Sequence, residues 1–156
     1  REVYVGGKTY LFHNTMLQPQ YSGDNAGCDR GIFITSSSYI HKNIYSRNNI
    51  LHTSGSSKES IRDPQNHASN DFNYDLYSGI ISARAGSEIN GINSLPFFES
   101  SLPGACALTA GSSGHNAGII LNNFNDKYKG TAPDMGAVES GSNSLTFGVN
   151  AIWNPE

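Results

Sequence analysis

The stretch that decides the fold lies near the end of the chain and reads Gly130-Thr131-Ala132-Pro133-Asp134-Met135-Gly136-Ala137-Val138-Glu139. It combines a proline, an aspartate and two glycines, a composition that is typical of tight turns. We expect Asp134 to pin the turn through its side chain, and we do not expect Asp134 or Glu139 to be catalytic. The string therefore predicts a tight turn.

The composition indicates many short strands joined by turns. The chain has 156 residues, which fits one domain, and it contains 17 glycines. Charged residues make up 15% and the net charge is −3, and the absence of a Lys/Arg cluster argues against nucleic acid as a partner. No run of apolar residues is long enough for a membrane span. The chain begins at Arg1 without a signal peptide, so we expect a mature, processed or excised piece from which any export signal has been removed.

Two segments repeat one plan of strand, polar corner and strand. Residues 8–17 and 39–51 both alternate aromatic and aliphatic side chains up to an asparagine, which apolar residues then follow. These asparagines are Asn14 and Asn49, 35 positions apart (49 − 14). Asparagine is also simply a common turn residue, but the repeated flanks favour stacked coils in which Asn14 and Asn49 bond to each other as a ladder.

A third, weaker copy covers residues 70–77, with Asp75 where the pattern predicts asparagine. Such a repeat predicts a solenoid, in which each coil adds short strands that pair with the coils on either side. We expect coils over residues 1–79, interrupted by long polar loops at 18–29 and 52–68. Residues 80–156 are predicted to form the last coil and a terminal cap.

The predicted cap carries three motifs in a familiar order. Leu95-Pro96-Phe97-Phe98 comes first, Leu108-Thr109-Ala110-Gly111-Ser112 with Asn116-Ala117-Gly118 follows, and the stretch at 130–139 closes the series. This order resembles the C-terminal part of secreted right-handed parallel β-helix proteins of the polysaccharide lyase (pectate lyase-like) superfamily, whose closing pattern is G-x-x-P-D-[IM]-G-A-x-E. The resemblance implies an all-β fold, a right-handed parallel β-helix made of C-terminal coils and a cap.

The same resemblance implies a function and a location. It indicates the C-terminal part of a bacterial, secreted, cell-surface or periplasmic enzyme that degrades polysaccharide, most simply a lyase that cleaves a uronic-acid-containing glycan by β-elimination. A glycoside hydrolase on the same fold and a non-catalytic glycan-binding or adhesive module remain alternatives. Such lyases neutralise the uronate carboxylate with Ca²⁺ or arginine. Asp71 and Asp75 alone make a poor calcium site, so we expect no metal ligands here and any Ca²⁺ ligands outside this segment.

The candidate site residues are charged or aromatic groups on the two loops and the strands beside them. Solvated surface positions are the alternative reading for each of them. His41 and Lys42 are adjacent on a predicted strand, so their side chains must point to opposite faces. The candidate catalytic residues are Arg30, Lys42, Arg47, Arg62 and His67, and the candidate substrate-binding residues are Tyr21, Asp29, His41 and Asp63.

Two further expectations concern partners and cysteines. Three partial coils leave the N-terminal end of the stack uncovered, and an open strand edge is a template for association. We therefore expect the upstream part of the same β-helix, or another chain, to pack there. Cys28 and Cys106 have no metal-ligand spacing, and they could either pair as a disulfide or remain two buried thiols.

Overall fold

The strands of this protein are short and follow one another closely along the chain. A computed structural model describes residues 7–18, 30–34, 40–54, 57–101 and 105–142. These residues contain ten β-strands and no helix. The strands are β1 Thr9–Phe12, β2 Thr15–Gln18, β3 Arg30–Phe33, β4 Ile44–Arg47, β5 Ile50–Thr53, β6 Glu59–Arg62, β7 Asp71–Phe72, β8 Leu76–Tyr77, β9 Ile80–Ser82 and β10 Ile92–Asn93.

The ten strands form three parallel sheets. Sheet A has the order β1-β4-β7, sheet B the order β10-β8-β5-β2 and sheet C the order β3-β6-β9. Successive strands from β1 to β9 belong to sheets A, B and C in turn, so three strands make one round. Each strand pairs in parallel with the strand three places later in the chain, for example β1 with β4 and β4 with β7. We call each such round a coil. The prediction of an all-β fold is confirmed, and the stacked parallel sheets are compatible with a β-helix.

The predicted copies align as neighbouring coils. Thr15 pairs with Ile50, and these residues are 35 positions apart, as are Asn14 and Asn49. Ile50 pairs in turn with Leu76. The predicted loop at 52–68 differs in one respect, because it contains strand β6. That strand reads Glu-Ser-Ile-Arg and has one apolar residue, Ile61, so its sequence gives little strand signal although Ile61 is fully buried.

Buried apolar side chains form two clusters, which lie on opposite faces of sheet B because Ile50 and Leu51 are consecutive residues of β5. One cluster joins Ile32, Leu51, Ile61 and Phe72 from all three sheets. A second cluster joins Ile50, Leu76, Leu108 and Met135. Met135 belongs to the closing stretch and is 1% exposed, so the cap is packed onto the coils by the hydrophobic effect.

The predicted asparagine ladder is present and longer than expected. The amide N and Nδ2 of Asn14 both donate to Oδ1 of Asn49 at 2.9 Å. The same two donors of Asn49 reach Oδ1 of Asp75 at 2.7 and 2.8 Å. The amide of Asp75 then donates to Oε2 of Glu88 at 3.1 Å. We call these four residues the corner ladder; they satisfy backbone amides that the bend between sheets A and B leaves without strand partners.

Each corner bends in the same way. His13, Asn48 and Tyr74 each precede a ladder residue, and their φ angles are 52°, 57° and 62°. This left-handed conformation is uncommon for residues other than glycine. Its recurrence at one position of three successive coils shows that the corner geometry is set by the stack, which overrides the preference of a bulky residue such as Tyr74.

The closing stretch is held by its two acidic residues. Asp134 accepts hydrogen bonds from the amides of Asn116 at 2.6 Å and Ser140 at 2.7 Å. Glu139 accepts from the amides of Asp134 at 2.9 Å and Lys129 at 3.0 Å. The predicted turn-pinning role of Asp134 is therefore confirmed, and the turn needs both carboxylates.

Candidate functional site

The outer surface of sheet C carries the charged residues that the strands bring together. Arg30 pairs with Glu59 across β3 and β6, and Phe33 pairs with Arg62 three residues further along the strands (33 − 30). Between them Ile32 and Ile61 point into the core. We call Arg30, Phe33, Glu59 and Arg62 the arginine face.

Both guanidinium groups of the arginine face bind one carboxylate oxygen. Nε of Arg30 lies 2.9 Å from Oε2 of Glu59, and Nη1 of Arg62 lies 3.2 Å from the same atom. Cζ of Arg30 also lies 4.6 Å from the centre of the Phe33 ring, which is a cation–π distance. The contacts hold the two arginines in fixed orientations beside an exposed aromatic ring.

The charge of the arginine face is positive at neutral pH. The hydrogen bond from Arg30 is the largest cause that lowers the pKa of Glu59, and together with the contacts of Ser82 and Arg62 it brings that pKa to about 2. Glu59 is therefore ionised and offsets one of the two arginine charges. The side chain of Arg62 is 42% exposed against 21% for Arg30, so Arg62 is the arginine that a ligand can reach.

A depression lies beside Arg62 and has a volume of about 340 Å³. It is lined by Glu59, Arg62, Asp63, Pro64, Asn66, Ser82 and Ala83. Asp63 is buried, and its carboxylate accepts the amides of Gln65 at 3.0 Å and Asn66 at 3.2 Å together with Nδ2 of Asn70 at 2.9 Å. Asp63, a predicted substrate contact, thus holds the turn that forms one wall of the depression.

The other predicted residues are not members of the arginine face. Arg47 is on sheet A, where Nη2 bonds to the Asp71 carboxylate at 2.5 Å. Lys42 and His41 precede β4, and the amide of His41 donates to Oε1 of Gln65 at 2.7 Å. His67 lies in the turn between β6 and β7, with Nδ1 2.9 Å from the hydroxyl of Ser69. Tyr21, Asp29 and Cys28 lie outside the described residues.

Of the predicted catalytic set, the structure thus brings Arg30 and Arg62 together. Sequence reasoning missed Glu59 and Phe33, which complete the arginine face. A signal for Glu59 was available, because it stands one coil from Arg30 at the same end of its strand. The prediction of a loop at 52–68 hides this relation, because it does not place Glu59 on a strand.

The carboxylates of Asp71 and Asp75 bind different partners. Asp71 is ion-paired with Arg47, whereas Asp75 is buried in the corner ladder, so they do not form a calcium site together. Within the described ranges, no group of three or more His, Cys, Asp or Glu side chains is arranged to hold a metal ion. Cys106 is a half-buried free thiol. In the same ranges, no helix of the length and apolarity needed to cross a membrane is found.

The fold and the site define an all-β protein of stacked parallel sheets with an arginine-rich outer face. Comparison with protein-family models, with curated proteins and with solved structures finds no match for this chain. Function is therefore inferred from the site itself and from the resemblance of the cap motifs.

Proposed function

We propose that the chain is the C-terminal part of an exported right-handed parallel β-helix protein, and that its arginine face binds a polysaccharide containing uronic acids. The parallel stacking of three sheets and the cap motifs support the fold. The arginine pair supports the ligand, because a guanidinium group offers a planar set of donors that matches a carboxylate.

The observation that carries the proposal is that two arginines from adjacent coils share one oxygen of Glu59 beside the exposed Phe33 ring. Glu59 fixes the direction of both guanidinium groups before any ligand arrives, which lowers the ordering cost of binding. Arg62 still has donors to offer to a uronate carboxylate. The Phe33 ring supplies an apolar surface for the face of a sugar ring.

Catalysis by β-elimination is the first activity to test at this face. A base removes the proton on the carbon next to the carboxylate, the C4–O4 bond breaks, a C4–C5 double bond forms, and the leaving oxygen gains a proton. Arg62 would neutralise the carboxylate, and the base must be a different group because arginine stays protonated. Lys42 and His67 are the candidates within the described residues, and Asp29 and Tyr21 are further candidates to bind substrate. Glycoside hydrolysis and binding without catalysis are the alternatives.

A partner at the N-terminal edge is part of the same proposal. Within the described residues, β1, β2 and β3 each pair with a strand on one side only. A preceding coil of the same β-helix, or another chain, would continue the parallel pairing of these strands.

Calorimetric titration with oligomers of galacturonic acid tests the proposed binding. Arg62→Ala should weaken binding by roughly tenfold or more, since it removes a charge-assisted hydrogen bond. Lys129→Ala removes an exposed positive charge in the cap that lines neither cavity, and it serves as the matched control. Equal affinity of the wild type and Arg62→Ala would exclude the arginine face as the site.

The same oligomers test the chemistry. A lyase generates an unsaturated product that absorbs in the ultraviolet, and a hydrolase generates new reducing ends without that absorbance. Binding with neither product, in the presence and absence of added Ca²⁺, would leave the glycan-binding module as the function of this segment.

A further inference from the structure

The outer surface of sheet A and the adjoining cap carry a continuous series of aromatic rings. The rings of Tyr45 and Tyr10 are stacked with centres 5.5 Å apart, Tyr10 lies 5.3 Å from Phe12, and Phe12 meets Phe124 edge-on at 5.5 Å. We call these four residues the aromatic track. Tyr10 and Phe124 are 55% and 59% exposed, which is far more than a ring needed for the core would be.

The aromatic track ends at a cavity between the first coil and the cap, which is larger than the depression beside Arg62. Its volume is about 610 Å³, within the range of about 300–1,000 Å³ typical of ligand sites. Phe12, Phe124 and Tyr128 provide its aromatic lining, and Asp126, Lys127 and Glu139 provide its charges.

The floor of this cavity is neutral and internally bonded. The hydrogen-bond partners of His13 assign its tautomer, because Nδ1–H donates to the Gly136 carbonyl at 3.1 Å while Nε2 accepts from the side-chain amides of Asn48 at 3.0 Å and Asn125 at 2.8 Å. Burial lowers the pKa of His13 and keeps the ring neutral. The ring also stacks on Phe124 with centres 5.8 Å apart, so His13 positions the end of the aromatic track.

The charges lining the cavity select against an acidic ligand. Two carboxylates, Asp126 and Glu139, outnumber the one ammonium group of Lys127. Both carboxylates are fixed in place, because Asp126 accepts the Asn123 amide at 2.9 Å and Glu139 accepts the amides of Lys129 and Asp134. A uronate would be repelled here, in contrast to the arginine face.

We propose that the aromatic track and its cavity form a binding site for a neutral glycan chain. A row of four rings, of which Tyr10 and Phe124 are exposed and the other two are half-buried, fits a ligand with a repeated apolar face. Each sugar ring has such a face together with hydroxyl groups at its rim. Charged groups flank the row to receive those hydroxyls: the Lys8 ammonium lies 6.0 Å from the centre of the Tyr45 ring, and the Arg47–Asp71 pair adjoins Tyr45 on the same surface. The proposal is independent of the arginine face, which lies on a different sheet.

Aromatic ¹H–¹³C NMR of the labelled protein, titrated with cellohexaose and maltohexaose, tests this site. The signals of Phe124 and Tyr10 should shift, and those of Phe97, which is 53% exposed but outside the track, should not. Phe124→Ala should weaken the binding roughly fivefold to tenfold, the worth of an aromatic contact, and Phe97→Ala should leave it unchanged. Tyr10→Ala gives the same readout if Phe124→Ala does not fold.

Three outcomes would overturn the proposal. The first is the absence of shifts at Phe124 and Tyr10 with both neutral oligomers. The second is a shift at these rings with galacturonic acid oligomers alone. The third is a dimer in sedimentation that Tyr10→Ala converts to a monomer, since the track would then be an interface between two copies of the chain.

Discussion

Replacing Asp75 by asparagine should stabilise the protein, although it removes a residue with a fully buried and well-bonded side chain. The carboxylate of Asp75 accepts two hydrogen bonds from Asn49 and one from the Ser46 hydroxyl. Glu88 adjoins it, is 5% exposed and has one buried oxygen, Oε1, without a hydrogen-bond partner. Burial raises the pKa of both acids, and the charge of Asp75 raises the pKa of Glu88 further. The two carboxyl groups therefore cannot both ionise without cost.

An asparagine at position 75 keeps the ladder and removes the conflict. Its Oδ1 can accept the same two bonds from Asn49. Its Nδ2 takes the place of Oδ2, so the bond with Ser46 reverses and the amide donates to the hydroxyl oxygen. Relieving a buried like-charge contact is worth about 1–3 kcal/mol. For a chain of this length, about 2 kcal/mol raises Tm by roughly 4–8 °C.

The pH dependence gives a second readout of Asp75→Asn. A carboxyl group whose pKa is raised on folding binds more protons in the native state than in the unfolded state, so stability falls as pH rises above the ordinary carboxyl range of about 4–5. The wild type should lose stability from there through neutrality, and Asp75→Asn should reduce this loss. Denaturant unfolding at pH 5, 7 and 8.5 measures both effects.

Asp71→Asn is the matched control for Asp75→Asn. It makes the same chemical change on the neighbouring strand, where the side chain is half exposed and paired with Arg47. Its effect should stay within about 1 kcal/mol, as for surface ion pairs. If Asp75→Asn is the less stable protein at pH 7 and 8.5, the ladder requires a charged carboxylate at this position and the reasoning is refuted.

Two further changes test the arginine face and the cap. Glu59 has a pKa lowered to about 2, so its contribution to stability is present above the unfolded carboxyl pKa of about 4.5 and is lost as pH falls toward 2; Glu59→Gln should flatten the acid limb of the stability curve, and an unchanged acid limb would contradict the pairing. Gly136 has a φ of 99°, and a Cβ there would lie 2.5 Å from Cδ1 of Ile50. Gly136→Ala should therefore cost more than about 1 kcal/mol and more than Gly86→Ala, where φ is 90° but nothing lies within 4 Å. Denaturant midpoints measure the stability of both variants. Equal losses of stability would show that Gly136 is not in close contact with Ile50.

The elements that the sequence predicted are those whose side chains repeat from coil to coil. Asn14 and Asn49 stand in similar surroundings, so their pairing could be inferred from the pattern alone. The repeat shows that Asp75 takes the place of an asparagine. Glu88, the last residue of the corner ladder, follows 13 residues later and belongs to no repeat (88 − 75). Its role follows from the packing of the last coil, which no local pattern encodes.

The arginine face could be predicted only in part, because the coils differ in length. The interval between paired residues is 35 for Asn14 and Asn49, 29 for Arg30 and Glu59 (59 − 30), and 26 for Ile50 and Leu76 (76 − 50). Loops of different length enter each coil, so a residue cannot be assigned to its rung by counting. Arg30 and Arg62 can be predicted as charged residues beside strands. Their shared partner, Glu59, can be identified only when the pairing register of β3 and β6 is known.

The arginine face exists only if strands one coil apart pair in parallel, β3 with β6 and β6 with β9. NMR of a sample with labelled isoleucine δ1 methyl groups tests it most directly, because Ile32, Ile61 and Ile81 are paired in sequence across sheet C. Nuclear Overhauser spectra should show contacts between Ile32 and Ile61 and between Ile61 and Ile81, and none between Ile32 and Ile81. A direct contact between Ile32 and Ile81, or none from Ile61 to either, would contradict the stacking and the face built on it.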